Sequence, residues 1–135
     1  MNLNKSREVF DPAKITAPIH IIGCGSVGST IAELLARYGL TKFTLWDMDK
    51  VEEKNLVNQM FFDDHVGMKK VDALRDILSN INLTCNETVK VKPDGWHGEP
   101  LAGYVFLAVD DIAIRRDIVK RNQYNANIKA MFDVR

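Results

Sequence analysis

The glycine-rich segment at residues 23–28, Gly-Cys-Gly-Ser-Val-Gly, constrains the fold of this chain more than any other feature. It lies between an apolar run typical of a buried strand and a segment with apolar residues at helical spacing. Glycines permit a tight turn from strand to helix and let backbone amides approach a phosphate, while the helix N-terminus adds partial positive charge. Asp47 ends the next strand-like run, where an acid can accept hydrogen bonds from ribose hydroxyls. These features together predict a nucleotide site.

Apolar residues recur along the chain at spacings that indicate alternating strands and helices. The predicted strands cover residues 18–22, 42–46, 84–92, 104–109 and 129–134; the predicted helices cover 27–38, 69–81 and a segment after Asp111, with one or two helical turns within 51–58. We expect Gly39 to end the first helix in a left-handed conformation and Asp111 to cap the last. Parallel neighbouring strands need right-handed helical crossovers. The pattern therefore predicts an α/β fold: a Rossmann-like, doubly wound, mainly parallel sheet in the order 3-2-1-4-5 with helices on both faces.

The length of 135 residues fits one domain. We assign this domain to residues 18–135, preceded by an N-terminal segment of residues 1–17. The run at 104–109 is continuously apolar, so we expect that strand to be buried on both faces. The strand at 129–134 would be central in such a sheet, with nothing after it to cover it. We therefore expect the chain to be an N-terminal fragment of a longer domain, or a domain that a partner chain completes.

Composition excludes several classes of function. The 18 basic and 18 acidic residues balance, so nothing favours electrostatic capture of nucleic acid or an anionic membrane. The longest apolar stretch is far too short to span a bilayer, and no signal core follows the N-terminus, so we expect a cytoplasmic protein. Cys24 and Cys85 are too few for a four-cysteine site, and we expect no structural zinc. A disulfide between them is arithmetically possible, but reduced, structural cysteines fit the pattern better.

Four polar residues further along the chain are candidates for the same site. Asn55 and Gln59 belong to an amide-rich turn after the second predicted strand, where their side chains could reach a triphosphate; an ordinary polar loop has the same composition. Lys70 lies in the first turn of the second predicted helix, where it is either a phosphate ligand or a solvated surface charge. Asp110 follows an apolar strand at the edge where ligands of open α/β sheets bind. The alternative for Asp110 is a second helix cap beside Asp111.

Other candidates are weaker. His20 lies in the first predicted strand, which favours a packed core histidine over a catalyst. The sequence Asp-Asp-His at residues 63–65 could bind a metal, but a solvated loop is the more common structure for it. Trp96 and His97 lie in a predicted loop, where they could contact a partner or simply be exposed.

The ordered series of motifs resembles the ubiquitin-activating-like adenylyltransferases, a family that includes the molybdopterin-synthase and thiamine-pathway sulfur-carrier activators. The family pattern is a glycine loop, Asp-x-Asp-x-Val-Glu, Asn-Leu-x-Arg-Gln, Gly-x-x-Lys, and Asp-Asp or Asp-Asn followed by Arg. The matching residues in this chain are Gly23, Gly25, Gly28, Asp47, Asp49, Val51, Glu52, Asn55, Leu56, Gln59, Gly67, Lys70, Asp110, Asp111 and Arg115. The resemblance covers about residues 18–135.

The resemblance implies an ATP site that uses Mg²⁺. The nucleotide-binding candidates are Gly23, Gly25, Ser26, Gly28, Asp47, Asp49, Asn55, Gln59, Lys70 and Asp110. By the resemblance, Asp47 would bind the ribose and Asp110 the metal ion, while Asn55 and Lys70 would contact the phosphates; the last three would be the catalytic residues. The implied reaction is adenylation of the C-terminal carboxylate of a ubiquitin-like or sulfur-carrier protein that ends in glycine, with release of pyrophosphate. The resemblance also implies a homodimer.

The chain departs from the family pattern in ways that leave two alternatives open. Asn58 occupies the position of the family's arginine, which removes one positive contact to the triphosphate. No cysteine follows Asp110 to form a thioester, and Arg7 is the one candidate for an N-terminal arginine that reaches a partner's site. The first alternative is a non-catalytic nucleotide-binding or assembly module of the same fold. The second is an NAD-dependent oxidoreductase, which the glycine loop and Asp47 permit but which gives no role to the later motifs.

Overall fold

A computed structural model of the chain describes residues 11–134. Its five strands form one parallel sheet in the order β3-β2-β1-β4-β5. The strands are β1 (Ile19–Ile22), β2 (Phe43–Trp46), β3 (Lys90–Lys92), β4 (Gly103–Leu107) and β5 (Ile128–Asp133); the helices are α1 (Ser26–Arg37), α2 (Lys70–Ile81), α3 (Cys85–Thr88) and α4 (Ile112–Asn122), with 3₁₀ helices at Pro12–Lys14, Glu53–Leu56 and Asp63–His65. This order confirms the predicted doubly wound α/β fold. Arg7 lies outside the described residues.

Helix α1 ends as its sequence predicts. Gly39 follows the helix with a φ of 97°, a conformation that glycine adopts without strain. The Gly39 amide donates to the Ala36 carbonyl at 2.9 Å and the Leu40 amide to the Leu35 carbonyl at 3.2 Å, which satisfies carbonyls left free at the helix end. The turn directs the chain back into β2.

The central strand β1 is buried on both faces, because a helical layer packs against each side of the sheet. On one face, Ile19 and Ile21 belong to a core that also contains Phe43, Leu45, Ala32, Ala36, Val71, Leu74 and Leu78, from β2, α1 and α2. On the other, Ile22 packs in a smaller core with Trp46, Leu101, Val105, Leu107 and Ile118. The carboxyl ends of β1, β2 and β4 therefore meet at one edge of a rigid sheet.

The predicted strand at 84–92 is wrong over its first half, because helix α3 occupies that part and only β3 is extended. The alternation of apolar and polar residues there has another explanation. Cys85 and Val89 are both buried at a spacing of four, which fits one turn of helix as well as one face of a strand. The side chain of Asn82 accepts a hydrogen bond from the Thr84 amide at 3.1 Å, which starts a turn instead of a strand.

Two expectations about the other half of the sheet are also corrected. Strand β4 is shorter than the predicted range 104–109, and its Tyr104 and Phe106 are only half-buried, so one face of this strand is not fully covered. Strand β5 lies at the edge of the described sheet and not at its centre. Phe132 of this edge strand stacks on Phe106 with ring centroids 4.8 Å apart. Helix α4 buries Ile118 but leaves exposed Ile112, Ile114 and Val119.

Candidate functional site

A cavity of about 660 Å³ opens at the carboxyl ends of β1, β2 and β4. This is the edge where open parallel sheets bind ligands. The predicted site residues that line it are Gly23, Gly25, Ser26, Asp47, Asp49, Gln59, Lys70 and Asp110. Gly28 and Asn55 do not line it. The fold thus brings together in one cavity motifs that are up to 87 residues apart, from Gly23 to Asp110.

The glycine loop turns β1 into α1 with very little space. Gly23 has a φ of +100°, and a Cβ on it would lie 2.7 Å from the backbone of Ala108. A Cβ on Gly28 would lie 1.8 Å from the carbonyl oxygen of Gly23. Gly25 is different, because its nearest neighbour would be the side-chain nitrogen of Gln59 at 3.7 Å. Gly23 and Gly28 are therefore required by the turn itself, whereas a side chain at Gly25 would make only an ordinary contact with Gln59.

Asp47 holds the glycine loop against the end of β2. Its Oδ2 accepts a hydrogen bond from the Cys24 amide at 2.8 Å, and its Oδ1 accepts one from the Asp49 amide at 2.8 Å. A carboxylate has about four lone-pair directions, so these two bonds leave acceptor capacity for a ligand hydroxyl. No side chain caps the N-terminus of α1 at Gly25. The first-turn amides of α1 therefore have no side-chain oxygen in front of them.

Lys70 is buried and lines the cavity, which decides against its being an ordinary surface charge. Its backbone explains why it lies there. The Lys70 amide donates to the Asp49 carbonyl at 2.9 Å, and the Val51 amide donates to the Met68 carbonyl at 2.8 Å. A short antiparallel pairing of Lys50 with Lys69 lies between these two bonds. The chain after β2 thus places the first residue of α2 beside the glycine loop.

The side chains of the amide-rich turn have two kinds of position, one as a helix cap and the others in the cavity lining. Asn55 is buried, and its Oδ1 accepts a hydrogen bond from the Glu52 amide at 2.8 Å, which caps the 3₁₀ helix Glu53–Leu56. Asn58 and Gln59 come next and line the cavity. The Oε1 atom of Gln59 is buried without a hydrogen-bond partner, and such an atom costs free energy until a donor reaches it.

Asp110 and Asp111 both line the cavity, but the side chain of Asp111 also caps a helix. The Oδ1 of Asp111 accepts from the amides of Ala113 at 2.8 Å and Ile114 at 3.2 Å, so Asp111 is the N-cap of α4, as predicted. Asp110 is exposed and lines the cavity. Because Asp111 alone supplies the side-chain cap, the carboxylate of Asp110 is left for a ligand.

Arg115 has a structural position that sequence reasoning did not find. It is buried, and its Nε donates to the Val109 carbonyl at 2.6 Å while its Nη2 donates to the Val134 carbonyl at 2.7 Å. It also pairs with the Asp133 carboxylate. The guanidinium therefore joins the end of β5 to the residue that precedes Asp110. Only its motif position pointed to it, and that position does not indicate burial.

The loop around Trp96 forms the opposite wall of the cavity. Trp96 is half-buried, its Nε1 donates to the Glu99 carbonyl at 2.9 Å, and the Arg121 guanidinium lies 5.6 Å from its ring centroid. His97 also lines the cavity, with its amide 2.6 Å from the Glu99 carboxylate. Arg121 in turn bonds to Asp117 at 3.0 Å. From the sequence, this loop could contact a partner or simply be exposed. In the structure, Trp96 and His97 both line the cavity, so the loop belongs to the candidate site.

The remaining candidates have structural positions. Cys24 and Cys85 are buried free thiols, and burial raises the pKa of both, with the Asp47 carboxylate adding to the effect at Cys24. His65 is buried and forms hydrogen bonds with the Phe62 amide and the Asp76 carboxylate, so it is not part of a solvated loop. Among residues 11–134 there is no cluster of three or more metal-ligating side chains of the His, Cys, Asp or Glu types. In the same range, no helix is long and apolar enough to cross a bilayer.

His20 is a core histidine, as predicted, and it makes stability depend on pH. The indole Nε1 of Trp46 donates to its Nδ1 at 2.9 Å, and burial, with Lys90 and Lys92 nearby, lowers its pKa from 6.5 to about 4. Between these two values the unfolded chain binds a proton that the folded chain does not. The free energy of unfolding should therefore fall as the pH drops from 6.5 to 4, by at most about 3 kcal/mol from this residue.

This prediction is checked by urea unfolding at several pH values. The His20→Gln variant keeps an acceptor for Trp46 but does not titrate. Wild type should lose more stability than the variant between pH 6.5 and 4. Parallel curves for the two proteins would show that His20 does not contribute to the pH dependence.

The sheet order, the glycine loop and the cavity beside it together define a Rossmann-like domain with the architecture of a nucleotide-binding protein. The chain belongs to the ThiF family, whose model matches residues 15–128.

Individual proteins agree with this assignment. The chain is 45% identical over 84 residues to ubiquitin-like modifier-activating enzyme 5 of Gallus gallus, a match that covers 61% of this chain and 21% of that protein. The structure superposes on E. coli tRNA N6-threonylcarbamoyladenosine dehydratase, TcdA, in complex with AMP, with a TM-score of 0.81, 27% identity and coverage of 95% of this chain and 56% of that one. It also superposes on E. coli MccB with ATP, with a TM-score of 0.71, 25% identity and coverage of 82% and 36%. The chain thus spans about a fifth of the first of these proteins and just over half of TcdA.

Proposed function

We propose that this chain binds ATP and takes part in the adenylation of the C-terminal carboxylate of a ubiquitin-like or sulfur-carrier protein, with release of pyrophosphate. One observation carries the proposal: the glycine-loop backbone, Lys70 and Asp110 converge on a single cavity at the carboxyl edge of the sheet. Membership of the ThiF family supports it, as do the AMP complex of TcdA and the ATP complex of MccB.

The proposed roles follow from position in the cavity. Asp47 would accept hydrogen bonds from the ribose with the lone pairs that its two backbone contacts leave free. Ser26 and the first-turn amides of α1, together with Lys70, would contact the phosphates. Gln59 would accept a hydrogen bond through its unpartnered Oε1. Asn55 would act in catalysis by positioning this turn, because its side-chain oxygen caps the 3₁₀ helix.

Asp110 is the proposed Mg²⁺ ligand. Mg²⁺ is commonly bound by one or two carboxylates together with substrate phosphates and water, so the exposed carboxylate of Asp110 in the cavity fits this mode. When bound, the ion would neutralise charge on the triphosphate. Two of the other cavity carboxylates already have partners, because Asp111 caps α4 and Asp117 is paired with Arg121. Asp49 also lines the cavity and is exposed, which makes it a second candidate ligand.

The proposed reaction needs no general base from this chain. A C-terminal carboxylate has a pKa of roughly 3.5, so at neutral pH it is already an ionised nucleophile. The carboxylate oxygen attacks the α-phosphorus of ATP and the bond to the pyrophosphate oxygen breaks. The chain must therefore align the two anions and reduce their repulsion, which loop amides and the Lys70 ammonium can do.

The partner and assembly are part of the proposal. The Gallus gallus relative is named for a ubiquitin-like modifier, and one MccB structure contains AMPCPP and MccA. The first of these names favours a protein carboxylate as the substrate class, and we propose a carrier that ends in glycine. We also propose a homodimer, which sedimentation of the chain at several concentrations tests directly.

Replacing Lys70 tests the part of the cavity where we propose that the ATP phosphates bind, which we call the phosphate end. Lys70→Met keeps most of the buried stem but removes the charge, and we expect ATP affinity to fall at least about tenfold, as for loss of one charged hydrogen bond. Lys69→Met is the matched control, because the adjacent Lys69 bonds the Met48 carbonyl and does not line the cavity. Isothermal titration with ATP and Mg²⁺ measures both. Equal affinities for the two variants would contradict the proposed role of Lys70.

Two further measurements separate the candidate functions. A melting temperature that rises with ATP and Mg²⁺ but not with NAD would exclude the oxidoreductase alternative, since only a bound ligand stabilises the fold.

Exchange of labelled pyrophosphate into ATP that requires a carrier's terminal glycine, and that Asp110→Ala abolishes, would establish adenylation. ATP binding without exchange for any carrier would instead support the non-catalytic module, for which the loss of positive charge at Asn58 is the specific reason.

A further inference from the structure

Residues 59–70, which we call the connecting segment, join two parts of the cavity wall. Gln59 at its first position and Lys70 at its last both line the cavity, whereas residues 60–69 do not. Between its ends the segment turns away and packs on α2, where Phe61 belongs to the main core. The position of Lys70, at the end of the segment, therefore depends in part on how the middle of this segment is held.

His65 holds the middle of the connecting segment. Its side chain is 3% exposed, and within residues 60–69, all of which the structure describes, it is the only buried polar side chain. The Phe62 amide donates to its Nδ1 at 2.9 Å, so the ring proton lies on Nε2, which donates to Asp76 Oδ2 at 3.0 Å. The rings of Phe61 and Phe62 enclose it, with centroids 6.2 and 5.7 Å away.

Hydrogen bonds of His65 hold the backbone on both sides of Lys70. Before Lys70, the His65 carbonyl accepts from the Met68 amide at 3.0 Å, and the Met68 carbonyl accepts from the Val51 amide at 2.8 Å. After Lys70, the His65 side chain bonds to Asp76, which lies six residues further along α2, about 9 Å along the helix axis. These bonds fix the segment against the helix that begins at Lys70, although none of them reaches Lys70 itself.

A buried imidazole at this place specifies one arrangement in a way that an apolar side chain would not. Both ring nitrogens of His65 have partners, so burial leaves no polar atom unsatisfied. A leucine could fill the same space in several rotamers and several positions of the segment, whereas two directed bonds allow one. The arrangement that these bonds select is the one in which Lys70 lines the cavity.

We propose that His65 is a positioning residue for the candidate site: with Asp76 it holds the connecting segment so that the Lys70 ammonium lies in the part of the cavity where the phosphates would bind. This inference rests on the proposed function, because it takes Lys70 as a ligand of the ATP phosphates. It adds that the geometry of the phosphate end is set by a histidine–carboxylate pair that does not line the cavity itself.

The test compares ATP with adenosine, which lacks the phosphates. We measure the affinity of the whole chain for each by isothermal titration, in wild type, His65→Ala and Asp76→Ala. Both variants should bind ATP about tenfold more weakly, the size expected for one hydrogen bond to a charged group, with adenosine affinity changed less than about twofold. A merely structural role would weaken both ligands equally.

Conservative variants provide the rescue. His65→Asn keeps an oxygen that can accept from the Phe62 amide, as Asn55 does from Glu52 in the same chain. Asp76→Asn keeps an acceptor for the histidine Nε2. Each should recover at least half of the lost ATP affinity on a logarithmic scale. Ile77→Ala is the control for stability, since it removes a buried side chain of α2 without a polar contact.

The outcomes separate this inference from the proposed function. If Lys70→Met leaves ATP affinity unchanged, the proposed phosphate end is wrong and the positioning role falls with it. If Lys70→Met weakens ATP but His65→Ala and Asp76→Ala change ATP and adenosine alike, or change neither, only the positioning role is overturned. The positioning role is also overturned if Ile77→Ala changes the ratio of ATP affinity to adenosine affinity as much as His65→Ala does. Should His65→Ala fail to fold, the Asp76→Ala and Asp76→Asn pair decides by the same ratio.

Discussion

Gly28→Ala should remove a large part of the free energy of unfolding, because the new methyl group has no space. Its Cβ would lie 1.8 Å from the carbonyl oxygen of Gly23, about half of a normal contact distance. Gly23 cannot move aside, because it has a φ of +100° and packs against the backbone of Ala108. The β1–α1 turn must therefore open, at a cost of at least about 4 kcal/mol, which few single substitutions reach.

Gly25→Ala is the matched control for this prediction. Its Cβ would meet the Gln59 side chain at 3.7 Å, an ordinary contact, and Gly25 has a negative φ of −79°. We expect its free energy of unfolding to stay within about 1 kcal/mol of wild type. Urea unfolding followed by circular dichroism measures both variants. Similar stabilities for the two alanine variants would show that the turn accommodates a side chain at Gly28.

Arg115→Ala should produce the second-largest loss of stability. The substitution leaves the Val109 and Val134 carbonyls without their donor and the Asp133 carboxylate without its cation. Each of the two carbonyls left without a donor costs about 1–3 kcal/mol, whereas the Asp133 side chain is 59% exposed and can be hydrated, so we expect a loss of about 3 kcal/mol. Because Val109 precedes Asp110, we also expect ATP affinity to fall in the protein that remains folded.

The neighbouring Arg116 supplies the control, because it is exposed on the same helix. Arg116→Ala should change the free energy of unfolding by less than about 0.5 kcal/mol. Arg115→Lys should fall between the two, since lysine keeps the charge but cannot donate to three groups in one plane. Urea midpoints rank the three variants, and a loss for Arg115→Ala no larger than that for Arg116→Ala would mean that the buried guanidinium does not join β5 to the rest of the sheet.

The strand order and the cavity could be predicted because they depend on local patterns. Glycines at 23 and 28, an acid at the end of β2, and strands that alternate with helices leave few topologies once crossovers are right-handed. The same kind of pattern failed at residues 84–92. There, Cys85 and Val89 are buried at a spacing that a short helix and a strand both allow, and only the turn at Asn82 decides between them.

The roles of individual polar residues could not be read in the same way. A lysine in the first turn of a helix can be solvated or buried; the backbone bond from Lys70 to Asp49 decides that this one lines the cavity. Asn55 and Asp111 have short polar side chains, which serve equally well as caps or ligands, and both are used as caps. The family resemblance implies that Asn55 contacts the phosphates, whereas its side chain caps the 3₁₀ helix and does not line the cavity.

What the amino-acid order alone decided is therefore the outline of the backbone: where glycine is needed, where the three long helices lie and, with the rule for right-handed crossovers, which strands are neighbours. The first two properties arise from residues within a few positions of one another. Only the tertiary structure decided the pairings between distant residues, such as Arg115 with Val134, Trp96 with Arg121 and His65 with Asp76. Such pairs form because packing of the sheet and helices excludes water from particular polar groups, and each buried group must then find a partner that the fold has brought within reach.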